Sequence, residues 1–244
     1  MRPASKTGLR KSGDGAPKRA NTEVEVKLRV PDRPRFLRQL ARLKAKPIRA
    51  RVHEMNTLYD TADGNLARHG QMLRIRVERP ARKAAGGAGA RKIARGKAEK
   101  WVWLTFKGPV KEERAKDRGQ YKIREEHEAR IFDDGEVLGI LEALGMRPWF
   151  RYEKFRSTFR LTRMKSLKLE LDETPIGVFV ELEGKRKEID RAAELLGFGA
   201  SDYVTQSYGA LFMETHSLAR GRGGASRVEP TPFSGVPDML FRRG

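Results

Sequence analysis

Glu23, Glu25, Lys27 and Arg29 alternate with Val24, Val26, Leu28 and Val30 in the run TEVEVKLRV. Successive side chains of an extended chain point to opposite faces, so this run places two acids and two bases on one side and four aliphatic groups on the other. The pattern recurs. MLRIRVE sets Arg74, Arg76 and Glu78 against Leu73, Ile75 and Val77, and WVWLTFKG sets Trp101, Trp103, Thr105 and Lys107 against Val102, Leu104 and Phe106. YKIREEHEARI aligns Arg124, Glu126, Glu128 and Arg130, and EKFRSTFRL aligns Lys154, Arg156, Thr158 and Arg160. SLKLELDE contributes Lys168, Glu170 and Asp172, and GVFVELEG contributes Glu181 and Glu183. Carboxylates suit a hard divalent cation such as Mg²⁺ or Mn²⁺, and Arg and Lys suit phosphate oxygens, so these faces could build a metal–polyphosphate site. The competing reading is the solvated face of an open sheet, and periodicity alone leaves both open.

These runs, with MNTLYDT at residues 55–61, make about eight strands. Eight antiparallel strands can close into a barrel whose lumen holds side chains or one small ligand. Charges of both signs inside it then need partners or a bound ion. Three or four helices are predicted as cover. PDRPRFLRQLARLKA carries a Phe36, Leu37, Leu40 and Leu43 stripe, and DDGEVLGILEALG offers Val137, Leu138, Leu141 and Leu144 between an Asp cap and Gly145. KRKEIDRAAELLGF ends at Gly197, and SDYVTQSYGALFME is expected to start at a Ser201 or Asp202 cap. The fold class is therefore α+β and β-dominated, with eight strands that can form a closed antiparallel barrel and helices packed outside.

The chain of 244 residues carries a net charge of +20, of which residues 1–20, 80–100 and 219–244 hold +5, +6 and +3. These segments lack hydrophobic period and read as disordered tails (1–21 and 217–244) and a flexible basic insertion (80–100) around one domain at 22–216. Nucleic-acid contact through the tails is the weaker expectation for partners. No apolar run approaches the length that spans a bilayer, and the N-terminal stretch lacks a secretory apolar segment, so a cytoplasmic location is expected. Cysteine is absent. No GxxxxGK[ST] string occurs, and the four histidines lack metal-ligand spacing. Trp101 and Trp103 read as packing residues first and as a stacking platform second. For Tyr203, Ser207 and Tyr208, helix packing comes first and tunnel closure second.

The order of motifs, from Glu23-Val-Glu25-Val-Lys27 through LYDTADGNLARHGQMLRIR, WLTFKG, REEHEARI, YEKFRSTFRL, LKLELDE and GVFVELEG to SYGALF, resembles the CYTH superfamily, the triphosphate tunnel metalloenzymes. The resemblance spans about residues 22–214. It implies an eight-stranded tunnel acting on a small-molecule triphosphate with Mg²⁺ or Mn²⁺. Glu23, Glu25, Glu181 and Glu183 would bind metal. Lys27, Arg74, Arg76, Lys107, Lys154 and Arg156 would contact phosphate, with Lys27, Glu126, Glu128 and Asp172 as catalytic candidates. Hydrolysis of tripolyphosphate or a nucleoside triphosphate is the leading expectation. A class IV adenylyl cyclase and a non-catalytic polyphosphate- or nucleic-acid-binding module are the alternatives.

Overall fold

The first strand, β1 (Asn21–Arg29), begins a computed structural model that describes residues 21–81, 100–111, 120–220 and 238–241. It is followed by α1 (Arg33–Arg42), β2 (Lys46–Thr61), α2 (Asn65–Arg68), β3 (Met72–Pro80), β4 (Trp101–Lys107) and β5 (Lys122–Ile131). Then come α3 (Asp134–Ala143), β6 (Met146–Arg160), β7 (Lys168–Thr174), β8 (Gly177–Glu183), α4 (Arg186–Leu195), α5 (Tyr208–Arg220) and β9 (Asp238–Met239). Strands run in the order β2-β3-β4-β5-β1-β8-β7-β6, and pairing of β2 with β6 closes the circle. All pairings within the circle are antiparallel. The barrel is the expected one, and closure leaves none of its eight strands as a free edge. The N-terminal tail and most of the basic insertion lie outside the described residues.

Register decides which side chains share the interior. Glu25 faces Glu183 and Lys27 faces Glu181 across β1–β8, while Lys107 faces Glu126 across β4–β5. The alternate residues point outward and build the main core. Leu28, Val180, Leu182, Leu169 and Ile189 are fully buried where α1 and α4 cover β1, β7 and β8. Asp32 caps α1 by accepting from the Arg35 amide at 2.8 Å, and Asp133 caps α3 the same way. At Gly184, which turns β8 into α4, a Cβ would come within 2.7 Å of the Ser166 carbonyl oxygen, so only glycine fits.

Several elements depart from expectation. β2 starts at Lys46, not Met55, and one extra residue between Arg49 and Val52 makes a bulge against β6. The bulge reverses the alternation, turning Arg49 inward. Helix α3 buries Leu141 but leaves Leu138 and Leu144 exposed, because it meets the β3–β5 wall over a single turn. Helix α5 begins at Tyr208 instead of Ser201 or Asp202. The chain before it makes a 3₁₀ turn at Ala200–Asp202 and then pairs Val204 with Lys27, whose backbone groups lie beyond the reach of β5.

Part of the C-terminal tail is also built into the fold. Strand β9 pairs parallel with Arg151 and Tyr152, on the edge of β6 that β7 does not reach. Met239 is 1% exposed in an aromatic plug with Phe150, Tyr152, Phe179, Tyr208 and Phe212. Arg151 pairs with Asp238 at 3.1 Å, and the Phe241 amide donates to Glu153 at 2.6 Å. Met239→Ala is therefore expected to destabilise the fold by about 2–5 kcal/mol in denaturant unfolding, as for other buried methionine truncations; unchanged stability would show that the strand does not hold.

Candidate functional site

The inward faces enclose a cavity of about 730 Å³, within the range of small-molecule sites. Every phosphate-contact candidate lines it: Lys27, Arg74, Arg76, Lys107, Lys154 and Arg156. So do Glu23, Glu25, Glu126, Glu128, Glu181 and Glu183. Asp172 does not; it is fully buried behind the wall. Arg29, Arg130 and Arg160, at the ends of their charged faces, are exposed. The cavity is asymmetric. Lys154 is 2% exposed beside the aromatic plug, whereas the Lys168 side chain, near Glu183, is 38% exposed.

Nearly every charge has an opposite partner, as desolvation demands. At the plugged end Asp172 accepts from Lys154 at 2.8 Å, from Arg156 at 2.6 Å and from the Tyr208 hydroxyl at 2.8 Å. Arg156 also binds Glu170 and Glu181. Burial and the nearby Asp172 and Glu181 hold the Tyr208 hydroxyl well above its usual range, so it remains a donor. On the opposite wall Arg76 meets Glu128 at 2.9 Å and Glu78 at 3.1 Å, and Thr105 donates to Glu128 at 2.9 Å. Lys27 contacts Glu181 at 3.2 Å and lies 4.5 Å from the centre of the Tyr208 ring.

The candidate metal carboxylates lie on adjacent β1 and β8, but each is met by a cation. Glu23 pairs with Lys107, Glu25 with Lys122 at 2.9 Å, Glu181 with Lys27 and Arg156, and Glu183 with Lys168 at 2.6 Å. Among the described residues, no three acidic or histidine side chains are gathered in a ligand arrangement. The donor chemistry still fits a hard divalent ion, because like charges are crowded here. Burial, with Glu25 and Glu126 alongside, pushes Glu23 up to about 8 against the pull of Lys107. Burial acts on Glu25 in the same sense, but Lys122, Lys107 and Lys27 override it and hold Glu25 at about 2. A bound cation would relieve this crowding.

Residues outside the sequence-based set complete the wall. Glu54 and Arg49 on β2, Lys122 on β5 and Tyr152 on β6 all line the cavity, and Trp103 donates its indole N–H to Glu78 at 3.0 Å. Lys122 was legible, since it shares the period-two face of Arg124. Tyr208, read first as helix packing, both packs and lines the site.

The CYTH domain family model matches residues 21–208, well over half of the sequence. The chain belongs to the CYTH family. No curated protein matches it. Among solved structures, a "putative adenylate cyclase" from Vibrio parahaemolyticus is 20% identical with a TM-score of 0.61, covering 80% of this chain and 99% of its own. The PH1819 protein of Pyrococcus horikoshii is 23% identical with a TM-score of 0.58, over 79% and 99%. A "putative adenylyl cyclase" from Hippeastrum, described as having dominant triphosphatase activity, is 22% identical with a TM-score of 0.51, over 79% and 96%. These likenesses establish a shared CYTH fold. Among the described residues no helix is long and apolar enough to cross a membrane.

Burial of Glu23, with the neighbouring carboxylates, gives a pH signature with a defined sign. An acid whose folded pKa is raised contributes stability below its unfolded value, about 4.5, which is lost as pH rises towards about 8. Glu23→Gln removes that loss and is expected to melt at a higher temperature than wild type at pH 8, with a smaller difference at pH 5. Equal melting of variant and wild type at both pH values in thermal unfolding would contradict the raised Glu23 pKa.

Proposed function

We propose that this CYTH chain is a divalent-metal-dependent enzyme that hydrolyses the terminal phosphoanhydride of tripolyphosphate or of a nucleoside triphosphate. The observation that carries the reading is the convergence of Lys27, Arg74, Arg76, Lys107, Lys154 and Arg156 on one cavity that also holds a crowded carboxylate group. A triphosphate is a chain of closely spaced anionic oxygens, and few other small molecules would match so many inward cations.

Glu23 and Glu25, with Glu181 and Glu183, would hold Mg²⁺ or Mn²⁺, which when bound neutralises phosphate oxygens and orients the chain. The remaining work falls to the wall. Arg74 and Arg76 grip nonbridging oxygens through planar forks, while Lys107 and Lys154 act as point charges. Lys27 sits between the carboxylates and Tyr208, where it can follow charge as it moves to the leaving oxygen. Glu128 orients Arg76, Glu126 orients Lys107 at 3.2 Å, and Asp172 orients Lys154 and Arg156. These three carboxylates therefore act by positioning, and most of the catalysis is electrostatic preorganisation.

The second reading is a class IV adenylyl cyclase, in which a ribose hydroxyl attacks the α-phosphorus of ATP. Trp103 on the cavity wall favours it, since an indole ring can stack on a base. Product identity separates the readings. Tripolyphosphate, ATP and thiamine triphosphate are incubated in turn with Mg²⁺ or Mn²⁺. Orthophosphate is expected from at least one, and Glu25→Gln is expected to lower its release by about 100-fold or more. Cyclic AMP with pyrophosphate would replace the hydrolase by the cyclase, and no product from any substrate would leave a binding module.

A further inference from the structure

Two neighbouring side chains on β2 have no hydrogen-bond partner among the described residues, although both are sealed from solvent. Glu54 is 0% exposed and neither carboxylate oxygen is hydrogen-bonded. Its nearest cations, Lys154 Nζ and Arg156 Nε, stand 3.7 and 3.9 Å away, beyond hydrogen-bonding reach. Asn56, two residues along on the same face, is also 0% exposed, and both its amide oxygen and its amide nitrogen are unpartnered. Glu54 lines the ligand cavity, with Asn56 two residues along the strand; buried polar atoms left in this state are costly, and two neighbouring side chains in it call for an occupant.

The chemistry of the surroundings selects that occupant. An ionised carboxylate accepts hydrogen bonds and donates none, so the ligand must bring a proton. Although burial would raise its pKa, Lys154, Arg156, Arg76 and Arg74 keep Glu54 ionised. Those same four cations would repel a divalent metal ion, and the carboxylate itself would repel a phosphate oxygen. Water meets both conditions. It can donate to Glu54, turn its oxygen towards the cations and bond to the Asn56 amide in either sense.

We propose that Glu54, on the wall of the phosphate cavity, and Asn56 beside it form a seat for one or two buried waters, and that a water held by Glu54 is the nucleophile of the reaction. The first half is independent of the triphosphatase reading; the second rests on it. In the step, the water oxygen bonds to the terminal phosphorus as the bridging P–O bond breaks. The electron pair leaves with the departing chain, and both water protons remain on the released phosphate. Glu54 orients the water by accepting its hydrogen bond and keeps no proton.

Two measurements test this. In a high-resolution crystal structure of the ligand-free full chain, an ordered water is expected within hydrogen-bond distance of Glu54. A metal ion there, or closure of the wall so that Lys154 bonds Glu54 directly, would overturn the seat, whether or not the chain turns over any triphosphate. In steady-state kinetics with the triphosphate that wild type hydrolyses, Glu54→Gln is expected to lower kcat by about 100-fold. KM should stay level or fall, because one negative charge leaves a cationic wall. A kcat near wild type, or a rise in KM with kcat unchanged, would overturn the nucleophile assignment. If wild type hydrolyses nothing, the triphosphatase reading and the nucleophile assignment fall together, and the crystal still decides the seat.

Discussion

A closed barrel whose interior is charged can exist only if those charges neutralise one another, and this pairing requirement organises the rest of the molecule. Asp172 illustrates it. One fully buried carboxylate holds Lys154, Arg156 and the Tyr208 hydroxyl, and removing it would leave two buried cations without their main partner. The outer elements can be understood from this need. Helix α5 brings Tyr208 to the network, and β9 closes the plug behind it.

The same pairing makes the interior a receptive surface. Cations already held at fixed positions by Glu126, Glu128 and Asp172 would lose little freedom on meeting the phosphate oxygens of the proposed substrate. Burial, with Glu25 and Glu126 alongside, raises the Glu23 pKa, and a divalent ion would favour its ionised form. Shielding rises towards the aromatic plug, so electrostatic interactions there are the least screened by solvent.

Much of this was legible in the residues. Strict alternation in TEVEVKLRV, MLRIRVE, LKLELDE and GVFVELEG identifies the strands and separates their charged from their apolar faces, and the order of the motifs supplies the side that turns inward. Where alternation breaks, the reading fails for a physical reason. Arg49 is re-aimed by a bulge that only pairing with β6 reveals. Glu54 went unassigned because β2 was read from Met55, and the covering role of Val204 stems from Lys27 backbone groups that β5 does not reach. A two-residue strand such as β9 has no period at all. Asp172 carries the right residue type in the right register, yet its place behind the wall depends on the Arg156 and Lys154 side chains folding over it.

The central claim is that the paired interior accepts a triphosphate together with a divalent ion. Calorimetric titration of inorganic tripolyphosphate into the full chain tests it most directly, with and without Mg²⁺, using Arg74→Met as the comparison. One tripolyphosphate per chain, bound more tightly with Mg²⁺ and weakened by about tenfold or more in the variant, is the predicted result. Absence of binding, or binding indifferent to both the metal and Arg74, would contradict it.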